Sequence, residues 1–167
     1  SLSLSSFVAA VPTPAGTLRI GEGAVVQVDP GQSINLQSRG LMRIQGTLRA
    51  QGGQIVVARG ADDQGNTAQL GGLPNSVWVE SGAMLDVAGI AATAVDARGR
   101  RYGKQLDGGR IAIDGEFVVI RPGAVLDASG SSMTVDILQD DGAGAGARRV
   151  GGKGGEIALA AMAGLYL

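Results

Sequence analysis

The sequence predicts an all-β protein, and more closely a parallel β-helix, from three observations. Glycine supplies 29 of the 167 residues and aromatic residues only 3%, so any core is built from aliphatic side chains between very frequent turns. Short segments alternate apolar and polar residues with a period of two, which indicates strands. Two phrases recur along the chain in a constant order, which is typical of repeat architectures.

The longer phrase is clearest in residues 76–89 and 117–130, which read SVWVESGAMLDVAG and FVVIRPGAVLDASG. The residues in common are Val77, Gly82, Ala83, Leu85, Asp86 and Gly89, which return as Val118, Gly123, Ala124, Leu126, Asp127 and Gly130. Weaker copies occupy 18–28 and 46–52. Alternation predicts an inward set that comprises Val118, Ile120, Ala124, Leu126 and Ala128. The aspartate of the phrase falls on the outward face.

The shorter phrase is two glycines, one polar residue and then Ile-x-Φ, where Φ is apolar. It reads GGQIVVARG at 52–60, GGRIAIDGE at 108–116 and GGEIALAAM at 154–162. Corners between the predicted strands hold Gly115-Glu116, Pro122-Gly123 and Ser129-Gly130, residues that supply a positive or preset φ. Each repeat is therefore predicted as strand, corner, strand, corner, strand.

One such unit cannot bury its inward face alone, whereas units stacked along an axis bury a continuous aliphatic column. We therefore predict about four to five coils. Their strands are expected near 17–20 and 24–28; 33–36, 42–45 and 47–50; 54–57, 77–80 and 84–87; 110–113, 117–120 and 125–128; and from 156 onward. Inserted loops are expected at about 58–75, 88–109 and 130–153.

Two other fold classes also contain short β-strands. A doubly wound α/β fold is excluded because the gaps between most of the predicted strands cannot hold the roughly dozen residues of a helical crossover. A β-sandwich stays open as an alternative. It would not explain the constant order of the phrases.

The composition of the chain limits which functions and ligands are possible. Hydrophobic residues make up 44% of the chain and charged residues 17%, which predicts a folded protein. The net charge of −1 gives no basic excess for nucleic acid, so no nucleic-acid partner is expected. With no cysteine and no histidine, the chain lacks thiolate sites and the usual zinc ligand. We expect no cofactor, no metal and no catalysis.

The phrases GGRIAI, VVIRPGAVLDASG and GGKGGEIAL make residues 16–162 similar to the β-helical shafts of filamentous-haemagglutinin-like adhesins, which Gram-negative bacteria export by two-partner secretion. The resemblance implies that residues 1–167 are a single right-handed β-helix segment of a larger fibre, secreted or held at the cell surface. It also implies three partners: neighbouring coils of the same long chain, an outer-membrane transporter during export, and a surface glycan or receptor. The function implied is adhesion or cell–cell contact.

Two other functions stay open at this point: a β-helical carbohydrate-active enzyme fragment and a self-assembling β-helix polymer. Asp86 and Asp127 invite the enzyme reading, since stacked outward carboxylates could share a proton. Earlier copies, however, place Gln27 and Arg49 at the same position. We therefore expect both aspartates to face solvent and to accept hydrogen bonds from backbone amides at the next corner.

Basic residues concentrate in two of the insertions. They are Arg98, Arg100, Arg101 and Lys104 in one, and Arg148, Arg149 and Lys153 in the next. Both insertions follow the third strand of a coil, so they should emerge from the same edge. They are a candidate patch for glycans or acidic surfaces. The alternative is a pair of loose, solvated loops without a partner.

Trp78, the only tryptophan, is predicted to point away from the column. An outward tryptophan is a candidate contact for a ligand or partner. The alternative is that the 58–75 loop covers it. Asp62-Asp63 and Asp140-Asp141 fall in inserted segments and lack the spacing of a calcium repeat, so we expect plain flexible loops there.

Overall fold

The structure, a computed structural model, describes residues 1–6, 17–60, 75–138 and 145–167. This part of the chain is all-β and contains no helix, so no helix there could cross a membrane. The strands in chain order are β1 Leu2–Ser6, β2 Leu18–Ile20, β3 Val25–Gln27, β4 Ser33–Ser38, β5 Met42–Ile44, β6 Thr47–Arg49, β7 Gln54–Arg59, β8 Ser76–Val79, β9 Met84–Asp86, β10 Ala91–Val95, β11 Arg101–Gln105, β12 Arg110–Ile120, β13 Val125–Asp127, β14 Ser132–Leu138, β15 Ala145–Gly151 and β16 Glu156–Tyr166. Most of these strands run parallel.

The parallel strands form three ladders. The first ladder stacks β1, β4, β7 and the first halves of β12 and β16; the second stacks β2, β5, β8 and the second halves of β12 and β16. Because β12 and β16 each run through both ladders, the two form one curled eight-stranded sheet. The third ladder is a separate four-stranded sheet of β3, β6, β9 and β13.

The register of the ladders places chemically similar residues next to one another in successive strands. In the first ladder Leu2 pairs with Ile34, which pairs with Ile55, then Ile111 and then Ile157. The inner members of this row, Ile34, Ile55 and Ile111, are fully buried in one aliphatic core. The largest fully enclosed members of this core are Ile34, Leu36, Met42, Ile44, Leu48, Ile55, Val57, Val77, Val79, Leu85, Ile111 and Ile113.

The second residue of each glycine pair must be glycine, because the neighbouring ladder step leaves no room for a Cβ. A Cβ on Gly109 would lie 1.9 Å from the carbonyl oxygen of Gly53, and one on Gly155 would lie 1.8 Å from that of Gly109. The same carbonyls accept the amides that open the next strands, with Arg110 N to Gly53 O at 2.9 Å. The shorter phrase thus marks the corner where a carbonyl of the neighbouring ladder step occupies the space of a Cβ.

Positive φ explains other corners. Gly82 and Gly123 have φ of +79° and +87°, values that favour glycine. The predicted corner at Pro122-Gly123 is confirmed. Gly115 and Gly130 do not share this geometry: β12 runs straight through Gly115 with a register irregularity, and a Cβ on Gly130 would approach the Gly152 carbonyl to 2.4 Å.

The predicted strand positions agree with the structure to within a few residues in all three ladders. The inward set is also confirmed: Val118 is fully buried, and Ile120, Ala124, Leu126 and Ala128 pack partly buried against the core. β1 was not predicted, because the serines of SLSLSS hide a short alternating strand. Residues 110–113 and 117–120 were predicted as separate strands, whereas they form one continuous strand, β12.

Two of the predicted inserted loops are ordered hairpins. Segment 88–109 contains the antiparallel pair β10–β11, and segment 130–153 contains the antiparallel pair β14–β15. The alternative of loose, solvated loops does not hold for these described parts, because their strands pair in register. Most of segment 58–75, together with Asp62, Asp63, Asp140 and Asp141, lies outside the described residues.

Candidate functional site

The two repeated aspartates lie in register on the third ladder. Gln27 pairs with Arg49, Arg49 with Asp86, and Asp86 with Asp127. The Asp86 carboxylate accepts a hydrogen bond from Arg49 Nε at 2.9 Å and another from the Ala88 amide at 3.0 Å. One oxygen thereby links Asp86 to the neighbouring ladder step, and the other closes the corner that follows Asp86 in its own step.

Asp127 makes the equivalent turn contact one step further along. Its Oδ1 accepts the Ser129 amide at 2.9 Å, and this hydrogen bond holds the pKa of the Asp127 carboxyl below its usual value. The predicted bonding to backbone amides is confirmed for both aspartates. The prediction that both face solvent was wrong for Asp86, which is only 5% exposed because Arg49 and the following corner cover it.

The two hairpins pack against each other beside the ladders. Arg101 binds Asp136 through its guanidinium at 2.9 Å and through its backbone amide at 2.7 Å, so the Asp136 pKa lies below its usual value. Gln105 Nε2 donates to the Ser131 carbonyl at 2.9 Å. Both insertions therefore meet at one edge, as their position after a third-ladder strand predicted.

The seven basic residues of the predicted patch do not act as one set. Arg100 pairs with Asp96 within its own turn at 2.7 Å, and the Arg100 amide is the main reason that the Asp96 pKa is lowered. Arg101 is held by Asp136, as above. Arg149 donates to Ser132 Oγ at 3.0 Å. The remaining members are exposed: Arg98, Lys104, Arg148 and Lys153.

Trp78 lies on the outward side of the second ladder, as predicted, and is partly buried. The guanidinium carbons of Arg43 and Arg121 lie 5.9 and 5.2 Å from the centre of its ring, within the range of cation–π attraction. Glu80 joins the two arginines, with 2.9 Å to the Nε of each. The loop expected to cover Trp78 lies outside the described residues.

A groove of about 410 Å³ opens beside Trp78. The described residues that line it present an almost wholly apolar surface, and they are Ser76, Trp78, Phe117, Val119 and Tyr166. The side chains come from β8, β12 and β16, which the second ladder brings next to one another. We call this the aromatic groove.

Sequence reasoning singled out Trp78 but missed Arg43, Glu80, Arg121 and the other aromatic walls. A signal was present in the aligned phrases. Residue 43 of MRI, residue 78 of VWV and residue 119 of VVI occupy the same place in successive copies, so they had to stack. Reading outward positions across copies, and not only inward ones, would have grouped them.

In the part of the chain that the structure describes, no three acidic side chains converge as a metal site would require. A scan against protein-family models, a search of curated proteins and a search of solved structures each found no match. The likeness to filamentous-haemagglutinin-like shafts therefore stays a prediction from the sequence phrases.

Proposed function

We propose that this protein is a structural and adhesive segment of a secreted or cell-surface fibre, built as a right-handed parallel β-helix. The observation that carries the proposal is the constant register of Leu2, Ile34, Ile55, Ile111 and Ile157. A stack that repeats one contact at every step extends a chain in one direction. Such a stack also presents its outward residues in rows.

The filamentous-haemagglutinin-like reading adds the cellular setting: export from a Gram-negative cell, with neighbouring coils of a longer chain as the nearest partners. It is supported by the glycine pairs, whose steric role at the corner explains why the phrase recurs. The carboxylates that raised the enzyme alternative have structural partners, since Asp86 holds Arg49 and Asp127 holds the Ser129 amide. Adhesion is therefore proposed in preference to catalysis.

The test uses beads coated with the chain and applied to bacterial and mammalian cell layers. We expect retention under flow above that of beads coated with heat-unfolded chain, because adhesion needs the ordered rows. Equal retention of the two bead types would contradict the proposal. Release of reducing sugar from soluble polysaccharides by the folded chain would favour the enzyme alternative.

A further inference from the structure

Aromatic residues are rare in this chain and yet they converge. The chain contains one tryptophan, two tyrosines and two phenylalanines, and Trp78, Phe117 and Tyr166 all line the aromatic groove. The core does not need Trp78 and Phe117, because the inward positions of β8 and β12 hold Val77 and Val118, which are fully buried. Tyr166 is 58% exposed, so this wall of the groove is accessible to solvent.

The charge beside Trp78, which forms one wall of the groove, favours an anion. Arg43 and Arg121 share the single carboxylate of Glu80, so the three side chains carry a net charge of +1. A guanidinium has five N–H donors in a fork that fits a carboxylate. The side chain of Arg121 is 49% exposed, so donors that Glu80 does not use are accessible beside the Trp78 ring.

An acidic sugar matches both features at once. The C–H face of a pyranose ring stacks on aromatic rings, while a ring carboxylate reaches a guanidinium. Ligand sites of this kind are concave and mostly apolar, and a few polar groups fix the orientation. A volume of about 410 Å³ accommodates a short stretch of oligosaccharide.

We propose that the aromatic groove binds a uronate-containing polysaccharide, with the sugar ring against Phe117 and Tyr166 and the carboxylate on Arg121. This rests on the proposed adhesive function and names its ligand class. The site differs from the basic hairpins, where Asp96 and Asp136 already engage Arg100 and Arg101.

Trp78 makes the test direct, because the emission of the only tryptophan reports on the groove itself. The probe is an oligogalacturonate, compared with a neutral galactose oligomer of equal length. We expect a saturable change in Trp78 emission with the acidic oligomer, and binding of the neutral oligomer weaker by at least about tenfold, the loss of one charge-assisted contact.

Three variants complete the design. Tyr166→Ala should weaken binding of the acidic oligomer by about tenfold or more, and Arg121→Gln should abolish the preference for acid over neutral. Tyr102→Ala is the matched control, since Tyr102 is 57% exposed on the β10–β11 hairpin, away from the groove. Circular dichroism establishes that each variant is folded, and Arg121→Gln, at an exposed corner, tests the charge contact independently of Tyr166.

No emission change with the acidic oligomer, equal binding of the neutral one, or equal loss in Tyr102→Ala would overturn the proposal. A response to single-stranded oligonucleotide without one to oligogalacturonate would overturn it as well. Failure here is distinguishable from failure of the adhesive function. If beads coated with the Tyr166→Ala variant are retained under flow as well as beads coated with the native chain, adhesion remains supported and the aromatic groove is excluded as its cause.

Discussion

At the residue scale, the carbonyl oxygens of neighbouring ladder steps decide where glycine is needed. A Cβ at Gly109 would collide with the backbone of Gly53, whose carbonyl oxygen, carbonyl carbon and nitrogen would lie within 2.9 Å of it. A backbone wall cannot rotate away as a flexible side chain can. The corner itself would have to move.

We predict that Gly109→Ala lowers the free energy of unfolding by about 1–3 kcal/mol, the usual range for overpacking. Gly21→Ala is the control, because a Cβ there meets nothing within 4 Å. Thermal melts followed by circular dichroism measure both. A Gly109→Ala chain as stable as Gly21→Ala would show that the close approach at the glycine corner is absent in solution.

The two aspartates of the repeated phrase offer a second comparison. Asparagine keeps the Oδ1 acceptor for the following amide and removes the charge, so the substitution isolates the ion pair with Arg49. Asp86→Asn should cost about 1–3 kcal/mol because the Asp86 carboxylate is buried. Asp127→Asn should cost less, since Asp127 is more exposed. Urea titration of both variants checks the order, and a larger cost for Asp127→Asn would contradict this account.

The sequence was a good guide to which residues point inward and a poor guide to polar partners. Period-two alternation is a local property, so the faces of Val118 and Ile120 follow from their own phrase. The burial of Asp86 depends on Arg49, which lies 37 residues earlier. The place of Arg121 beside Trp78 likewise requires the register between strands, which no single phrase contains.

At the scale of elements, the two insertions contain strands that hydrophobic periodicity does not predict. The ladder strands have aliphatic residues at alternate positions, whereas β11 reads RYGKQ and has no apolar face. Its order comes from outside the strand: pairing with β10, the Arg101–Asp136 contact and the turn that Asp96 closes with the amides of Arg98 and Arg100. Such contacts are not visible as periodicity.

We predict that acid loosens the contact between the hairpins before it unfolds the ladders. The hydrogen bond from the Arg101 side chain lowers the Asp136 pKa in the folded state. A lowered pKa stabilises the contact above the unfolded-state value, and this stabilisation is lost as the pH falls through the folded value. The backbone nitrogen of Arg101 lies 2.7 Å from Asp136 Oδ2. The chemical shift of the Arg101 amide proton should therefore follow the titration of Asp136 in NMR spectra.

Asp136→Asn is the control for this titration. The variant keeps an acceptor oxygen beside Arg101 and removes the ionisable group, so its Arg101 amide should not shift over the same range of pH. An Arg101 amide that titrates at the ordinary aspartate pKa in the native chain would show that the two hairpins do not engage in solution.

At the scale of the whole molecule, the sequence predicted the ladders because the phrases keep their order and spacing. The copies at 76–89 and 117–130 become β8–β9 and the second half of β12 with β13, in register residue for residue. The stacking follows from the phrases, and the hairpins that emerge between them do not disturb it. A chain stacked in this way separates its core from its outward rows, so outward residues can vary without loss of the stack.

The central claim is that the chain stacks in register along one axis, and spin labels measure this directly. Ser3 and Ala158 are outward ends of one register row in the first ladder, and Arg19 and Tyr166 are ends of one row in the second. Each pair is separated by four ladder steps, which gives roughly 19 Å at about 4.8 Å per step. Because the chain has no cysteine, paired cysteine substitutions label only these sites. We predict similar short distances for both pairs; two distances that differ by more than about two strand spacings, roughly 10 Å, would contradict the stacked ladders.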